Sequence, residues 1–162
     1  MRSIASDNNN IIQFTHKGAP WINVLWPRAY PGRKFPSWQA DCSNLKGTFF
    51  YDPSVRADLA RGNPVVRSYG LNVKLYTGHK KSLQIRLNNI EKPASTALLT
   101  TVGQGSNGAV SSNLSRDRIN FRLNNYTQAN VGFADGHVQS MTREELAVPV
   151  ATYEDVFWRG RD

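Results

Sequence analysis

The sequence predicts an α+β fold, an antiparallel sheet closed by a C-terminal hairpin and joined by the end of a helix at its N-terminal side. Three observations predict it. Residues 130–141, NVGFADGHVQSM, set two runs rich in apolar residues on either side of Asp135-Gly136, a pair that tolerates the positive φ of a two-residue turn. Leu71, Val73 and Leu75 alternate with Asn72 and Lys74, and Leu83, Ile85 and Leu87 with Gln84 and Arg86, the period of half-buried strands. Helical spacing is confined to short stretches, Ile4 and Ile11 at the start and Thr142 with Glu145 near the end.

Taken in order, residues 1–14 are predicted to be the end of an amphipathic helix, since Ile4 and Ile11 lie two turns apart among polar neighbours. Asn8-Asn9-Asn10 weaken that helix. No N-cap residue precedes it, as expected of a chain trimmed from a longer one. Residues 18–36, GAPWINVLWPRAYPGRKFP, read as an irregular aromatic loop with one helical turn at 21–25. Trp21 and Trp26 are expected to anchor this loop, because a large ring is costly to leave in water. GTFFYDP at 47–53 reads as a strand ended by Pro53, and 54–67 as a polar connector with one helical turn closed by Gly62 and Pro64.

The two alternating runs on either side of TGHKK are predicted to pair as an antiparallel hairpin. STALLTTV at 95–102 is a further strand, and the Gly/Ser/Asn-rich residues 103–118 a flexible loop. For the C-terminal hairpin a type I′ turn at Asp135-Gly136 sets Ala134 opposite His137, Phe133 opposite Val138 and Val131 opposite Ser140. Val131, Phe133 and Val138 then share one face and point into the core. Thr142 and Glu145 form a capping box for a short helix that Pro149 ends, and the aromatic tail lies back across the sheet.

At 162 residues, with 40% hydrophobic content and four Trp, seven Phe and six Tyr, the chain is expected to form one globular domain over 1–162. Its apolar runs are too short to span a bilayer or to form a signal peptide. One Cys, Cys42, excludes an internal disulfide and a cysteine-rich metal site. Twenty Lys and Arg against twelve Asp and Glu give a net charge of +8, enough to attract phosphate or acidic glycan. Most of the cations fall between hydrophobic segments, the pattern of solvated loops. Lys80, Lys81, Arg116, Arg118 and Arg122 are the residues a nucleic acid or acidic glycan would meet.

Catalysis finds no purchase in the motifs. His16, His79 and His137 are not at ligand spacing, and His137 reads first as an exposed residue beside a turn. GQGSNG follows a strand but opens into loop instead of a helix, so it is no phosphate loop. No nucleophile, base and orienting group assemble, and no enzyme is expected. Asp117 and Asp135 offer oxygens to Ca²⁺, but a calcium site needs six or more. The expected cofactor is none, with Ca²⁺ the one ion to consider. Asp135-Gly136 itself admits three readings: a bare turn, part of a metal loop, or a family motif.

SYGLN at 68–72, LNNIEKPASTALL at 87–99 and ANVGFADGHVQSM at 129–141 resemble, in sequence and spacing, the C-terminal half of bacterial prepilin-like proteins. These are the pseudopilins named for a histidine, nine residues and Asp-Gly. The likeness covers about the last hundred residues. Ten positions before Asp135 stands Asn125, so the histidine of that name is missing and its role does not carry over. FFYDP stands where relatives often have Cys-Pro, and the family's leader with about twenty apolar residues is absent. The resemblance implies a pilin-like head, the lower end of a long helix packed on an antiparallel sheet, with a membrane-inserted part upstream. It implies a structural, non-enzymatic subunit of a type II secretion or type IV pilus-like filament, at the cell envelope or outer surface. Its partners would be other pilin-like subunits, and Val131, Phe133, Asp135, Gly136, His137 and Val138 would be the hairpin that closes the head. A basic polyanion-binding module, free or as a minor pilin, is the alternative.

Overall fold

A computed structural model describes residues 10–13, 21–35, 47, 48, 50, 69–77, 84–102, 113–114, 119–146 and 156–160. They form mixed helix and two sheets. Strands β1 (Ile11–Gln13), β3 (Tyr76–Thr77) and β4 (Gln84–Arg86) make a three-stranded sheet in the order β1-β4-β3. Strands β2 (Tyr69–Asn72), β5 (Ala97–Thr101), β6 (Asn113–Leu114), β7 (Gln128–Phe133) and β8 (Val138–Thr142) make a five-stranded sheet in the order β6-β2-β5-β7-β8. All pairings are antiparallel except β2 with β6.

The five-stranded sheet carries a core on each face. Leu71, Leu98 and Ala134 join Ile12 and Ile85 of the smaller sheet and Leu25 and Trp26 in one cluster. Ala97, Ala129, Val131 and Phe133 join Phe121, Leu146, Phe157 and Trp158 in the other. A shift of register between Ala97 and Leu99 lets β5 serve both. This bulge turns Leu98 and Leu99 toward the first core in succession, while Ala97 faces the second.

Helix α1 (Trp21–Ala29) is longer than the single turn predicted. Trp26 anchors it as expected: the ring is buried, packs against Tyr30, Phe35 and Phe50, and donates from Nε1 to the Arg33 carbonyl at 2.8 Å. The buried indole N–H is thereby satisfied. The side chain of Trp21 lies outside what is described.

Several expectations need correction. Ile11–Gln13 is a strand and no part of a helix, because Asn10 turns the chain at φ 60° and Ile12 then pairs with Ile85, burying both side chains. The run from Leu71 to Leu75 is not one strand. After Asn72 the chain makes a 3₁₀ turn, Val73–Leu75, and passes into the other sheet as β3. The predicted hairpin across TGHKK survives as the short β3–β4 pair. Residues 47, 48 and 50 are turn and bend, not strand; Gly47 has φ 75°, which breaks extended geometry, and Phe50 is buried beside Trp26. Within the predicted loop 103–118, Asn113–Leu114 pairs in parallel with β2; the rest of that loop, the 54–67 connector and Pro149 lie outside the described residues.

Other expectations hold. STALLTTV contains β5. The Thr142 amide donates to Glu145 Oε2 at 2.7 Å and the Glu145 amide to Thr142 Oγ1 at 3.2 Å, a reciprocal capping box opening one helical turn at 143–146. The tail returns to the sheet as helix α2 (Val156–Arg159), with Phe157 and Trp158 buried.

Candidate functional site

The terminal hairpin positions most of the residues singled out in the sequence. Its loop has three residues, Ala134, Asp135 and Gly136, not two. The Gly136 amide donates to Phe133 O at 3.0 Å and the Phe133 amide to His137 O at 2.9 Å. This is a type I turn followed by a bulge residue, and only that last position needs positive φ. Gly136 supplies it at φ 100°. Asp135 is not among the positive-φ residues described, so the type I′ turn, which needs two, does not form. The loop is pinned from outside: the Ala134 amide donates to Thr96 O at 2.9 Å and the Asp135 amide to Pro93 O at 3.2 Å.

The extra loop residue shifts the register by one. Gly132 pairs with Val138, Val131 with Gln139 and Asn130 with Ser140. A one-residue shift moves side chains of the second strand to the opposite face. Val131 and Phe133 are buried as predicted, but Val138 is 67% exposed, which corrects its assignment to the core.

At the loop, Asp135 Oδ1 accepts from the His137 amide at 3.1 Å and lies 2.7 Å from His137 Nδ1. The imidazole stacks on Phe133 with ring centroids 4.3 Å apart and planes 5° from parallel. Exposure describes His137 only in part, since its ring is fixed by a carboxylate on its edge and a phenyl on its face. The arrangement stiffens the turn. Among the described residues, no group of three or more His, Cys, Asp or Glu stands together to hold a metal ion, and Asp117, the other calcium candidate, lies outside them.

Ile12, Leu98, Leu99, Gly132, Phe133, His137 and Val138 are among the residues that line an apolar cleft of about 190 Å³ beside the hairpin loop. A Cβ at Gly132 would stand 3.7 Å from Leu99 Cβ, in ordinary contact.

Of the five cations proposed to meet a polyanion, Lys80, Lys81, Arg116 and Arg118 lie outside the described residues. Arg122 is buried, with Nη2 donating to the Val102 carbonyl. That placement withdraws it from a phosphate-binding surface, where a guanidinium must face solvent. Asn125 is exposed, in a turn where Asn124, Asn125 and Tyr126 have φ 45°, 55° and 67°.

Two residues that hold the site together carry no signal in a chain read locally. Asn72 is fully buried; its Nδ2 donates to Ala97 O at 2.7 Å and Trp158 O at 2.8 Å, and its Oδ1 accepts from the Lys74 amide at 3.0 Å. It ties β2 to β5 and to α2 while capping the turn that ends β2. Buried Thr96 donates from Oγ1 to Lys92 O at 2.8 Å and Val156 O at 3.1 Å. In the alternation from Leu71 to Leu75, Asn72 occupies a polar position that a half-buried strand would turn to solvent.

Among the described residues no helix is long and apolar enough to cross a membrane. No protein-family model matches the chain, and no curated protein or solved structure matches it.

Proposed function

We propose that the chain is the globular head of a pseudopilin or type IV pilin-like subunit, a structural and non-enzymatic component of a secretion or surface filament. One observation carries this reading. The three segments that resemble the prepilin-like family, SYGLN, LNNIEKPASTALL and ANVGFADGHVQSM, contain β2, the first three residues of β5 and all but one residue each of β7 and β8, four consecutive neighbours in a single sheet. Segments scattered over more than seventy residues thus form one physical unit. The shared letters also have work to do within it: Asn72 ties the sheet to the tail, and Gly136 sets the last register.

In this reading Asp135-Gly136 is a turn element, and the partners are other pilin-like subunits. Any upstream helix joins the head before Asn10, and membrane attachment precedes assembly through that helix. The site of action is the cell envelope or its outer surface.

The test is made in the native host, by reading the frame upstream of Met1 and by mass spectrometry of filaments sheared from the cells. The expected result is a basic leader with about twenty apolar residues and recovery of this chain in the sheared fraction. An in-frame stop directly upstream, with the chain found wholly in the cytoplasm, overturns the proposal.

A further inference from the structure

Asn125, Tyr126 and Thr127 read Asn-x-Thr with no proline between, the acceptor pattern for an N-linked oligosaccharide. Such a triplet is short, and its place in the fold decides whether it is used. All three residues are exposed, in the turn that leads into β7. The Thr127 and Gln128 amides each donate to Leu123 O at 3.1 Å, the Leu123 amide donates to Gln128 O at 3.0 Å, and Thr127 Oγ1 donates to Asn124 O at 2.6 Å. These bonds run among residues 123, 124, 127 and 128, so a sugar on the Asn125 amide leaves them in place. The Thr127 hydroxyl stands at an exposed site, where its bond exchanges for one to water or to an enzyme at small net cost. Tyr126, a large ring left 48% exposed beside the acceptor, gives a sugar an apolar surface to lie against.

A second triplet supplies the contrast. Asn113, Leu114 and Ser115 read Asn-x-Ser, but Asn113 belongs to β6, which pairs with Leu71 and Asn72 of β2. A chain held in a sheet must leave its ladder to enter an enzyme's cleft, whereas an exposed turn is already presented.

We propose that Asn125 is an N-glycosylation site, the acceptor for an oligosaccharide carried on a polyprenyl diphosphate. In the transfer a bond forms between Asn125 Nδ2 and the anomeric carbon of the first sugar. The bond from that carbon to the diphosphate oxygen breaks, the diphosphate leaves with the electron pair, and one Nδ2 proton passes through a base of the transferase to water. Nothing is oxidised or reduced. The proposal rests on the filament reading, because transfer of this kind takes place beyond the cytoplasmic membrane and needs an exported chain.

The test recovers the chain from the exported and cytoplasmic fractions of the native host. Trypsin cuts after Arg122 and Arg143 and isolates residues 123–143, in which Asn125 alone opens an Asn-x-Thr or Asn-x-Ser triplet. Fragmentation that spares the sugar bond is expected to place an oligosaccharide on Asn125 of the exported chain, with Asn113 bare. Asn125→Asp removes the acceptor nitrogen with a residue that tolerates left-handed backbone, and Thr127→Ala removes the hydroxyl that the transferase reads. Each is expected to abolish the added mass while the far-ultraviolet spectrum stays unchanged, and Thr127→Ser to retain it. Should Thr127→Ala fail to fold, Asn125→Asp carries the test. Bare residues 123–143 in the exported chain overturn the proposal and leave the filament reading standing, as does sugar that persists in Asn125→Asp or stands on Asn113 instead. A chain confined to the cytoplasm overturns both.

Discussion

β7 is bounded by two tight turns built in opposite ways. Before it, Asn124, Asn125 and Tyr126 all take the left-handed conformation, with no glycine among them. After it, the three-residue loop needs that conformation once, and Gly136 supplies it. A left-handed L-residue costs about 1–2 kcal/mol; Asn is tolerated better than most, while a bulky residue such as Tyr126 is an outlier. The upstream geometry is closed by bonds within the turn itself. Leu123 and Gln128 exchange main-chain bonds at 3.0 and 3.1 Å, and Thr127 Oγ1 donates to Asn124 O at 2.6 Å. The downstream loop is relaxed where it turns and is held by Thr96 and Pro93. One turn is closed by its own bonds against local preference, and the other agrees with local preference and fixes a register.

Substitutions on the two sides can break this contrast. The largest effect is expected at Phe133, buried beneath the downstream loop against Phe157 and His137. Phe133→Ala should lower unfolding stability by about 3–5 kcal/mol in a urea titration. Gly136→Val forces a β-branched residue to φ 100° and should cost about 1–3 kcal/mol; an unchanged melting temperature would show that the loop does not need its glycine. In the opposite direction, Tyr126→Gly relieves a left-handed aromatic residue and should raise stability by up to about 1 kcal/mol, read by the same titration. The smallest effect belongs to Val138→Ala, which should stay within about 0.5 kcal/mol of the parent because the side chain faces solvent. Phe133 and Val138, equal partners in a two-residue hairpin, should thus differ severalfold in cost.

The features legible in the sequence were those decided by neighbours. The Asp-Gly hairpin, the strand in STALLTTV, the Thr142–Glu145 capping box and the anchoring Trp26 each rest on residues a few positions apart. Features decided by distant contacts were not legible. The alternation from Leu71 to Leu75 reports which side chains are apolar, not that the chain leaves one sheet for another at Asn72. That switch depends on Asn72 bonding residues 25 and 86 positions away. The hairpin register likewise depends on carbonyls of Pro93 and Thr96, which a hairpin read alone cannot include. At the candidate site, Val131 and Phe133 were placed correctly, Val138 was placed on the wrong face, and Arg122 proved buried. A cation's letter carries no record of the carbonyl it will meet.

The register of the terminal hairpin is the claim on which the buried Phe133 and the outward Val138 both depend. Nuclear Overhauser effects between α-protons of non-hydrogen-bonded strand pairs measure it directly. Strong cross-peaks from Gly132 to Val138 and from Asn130 to Ser140 are the expected result. Cross-peaks from Phe133 to Val138 and from Val131 to Ser140 would instead establish the two-residue turn and contradict this account.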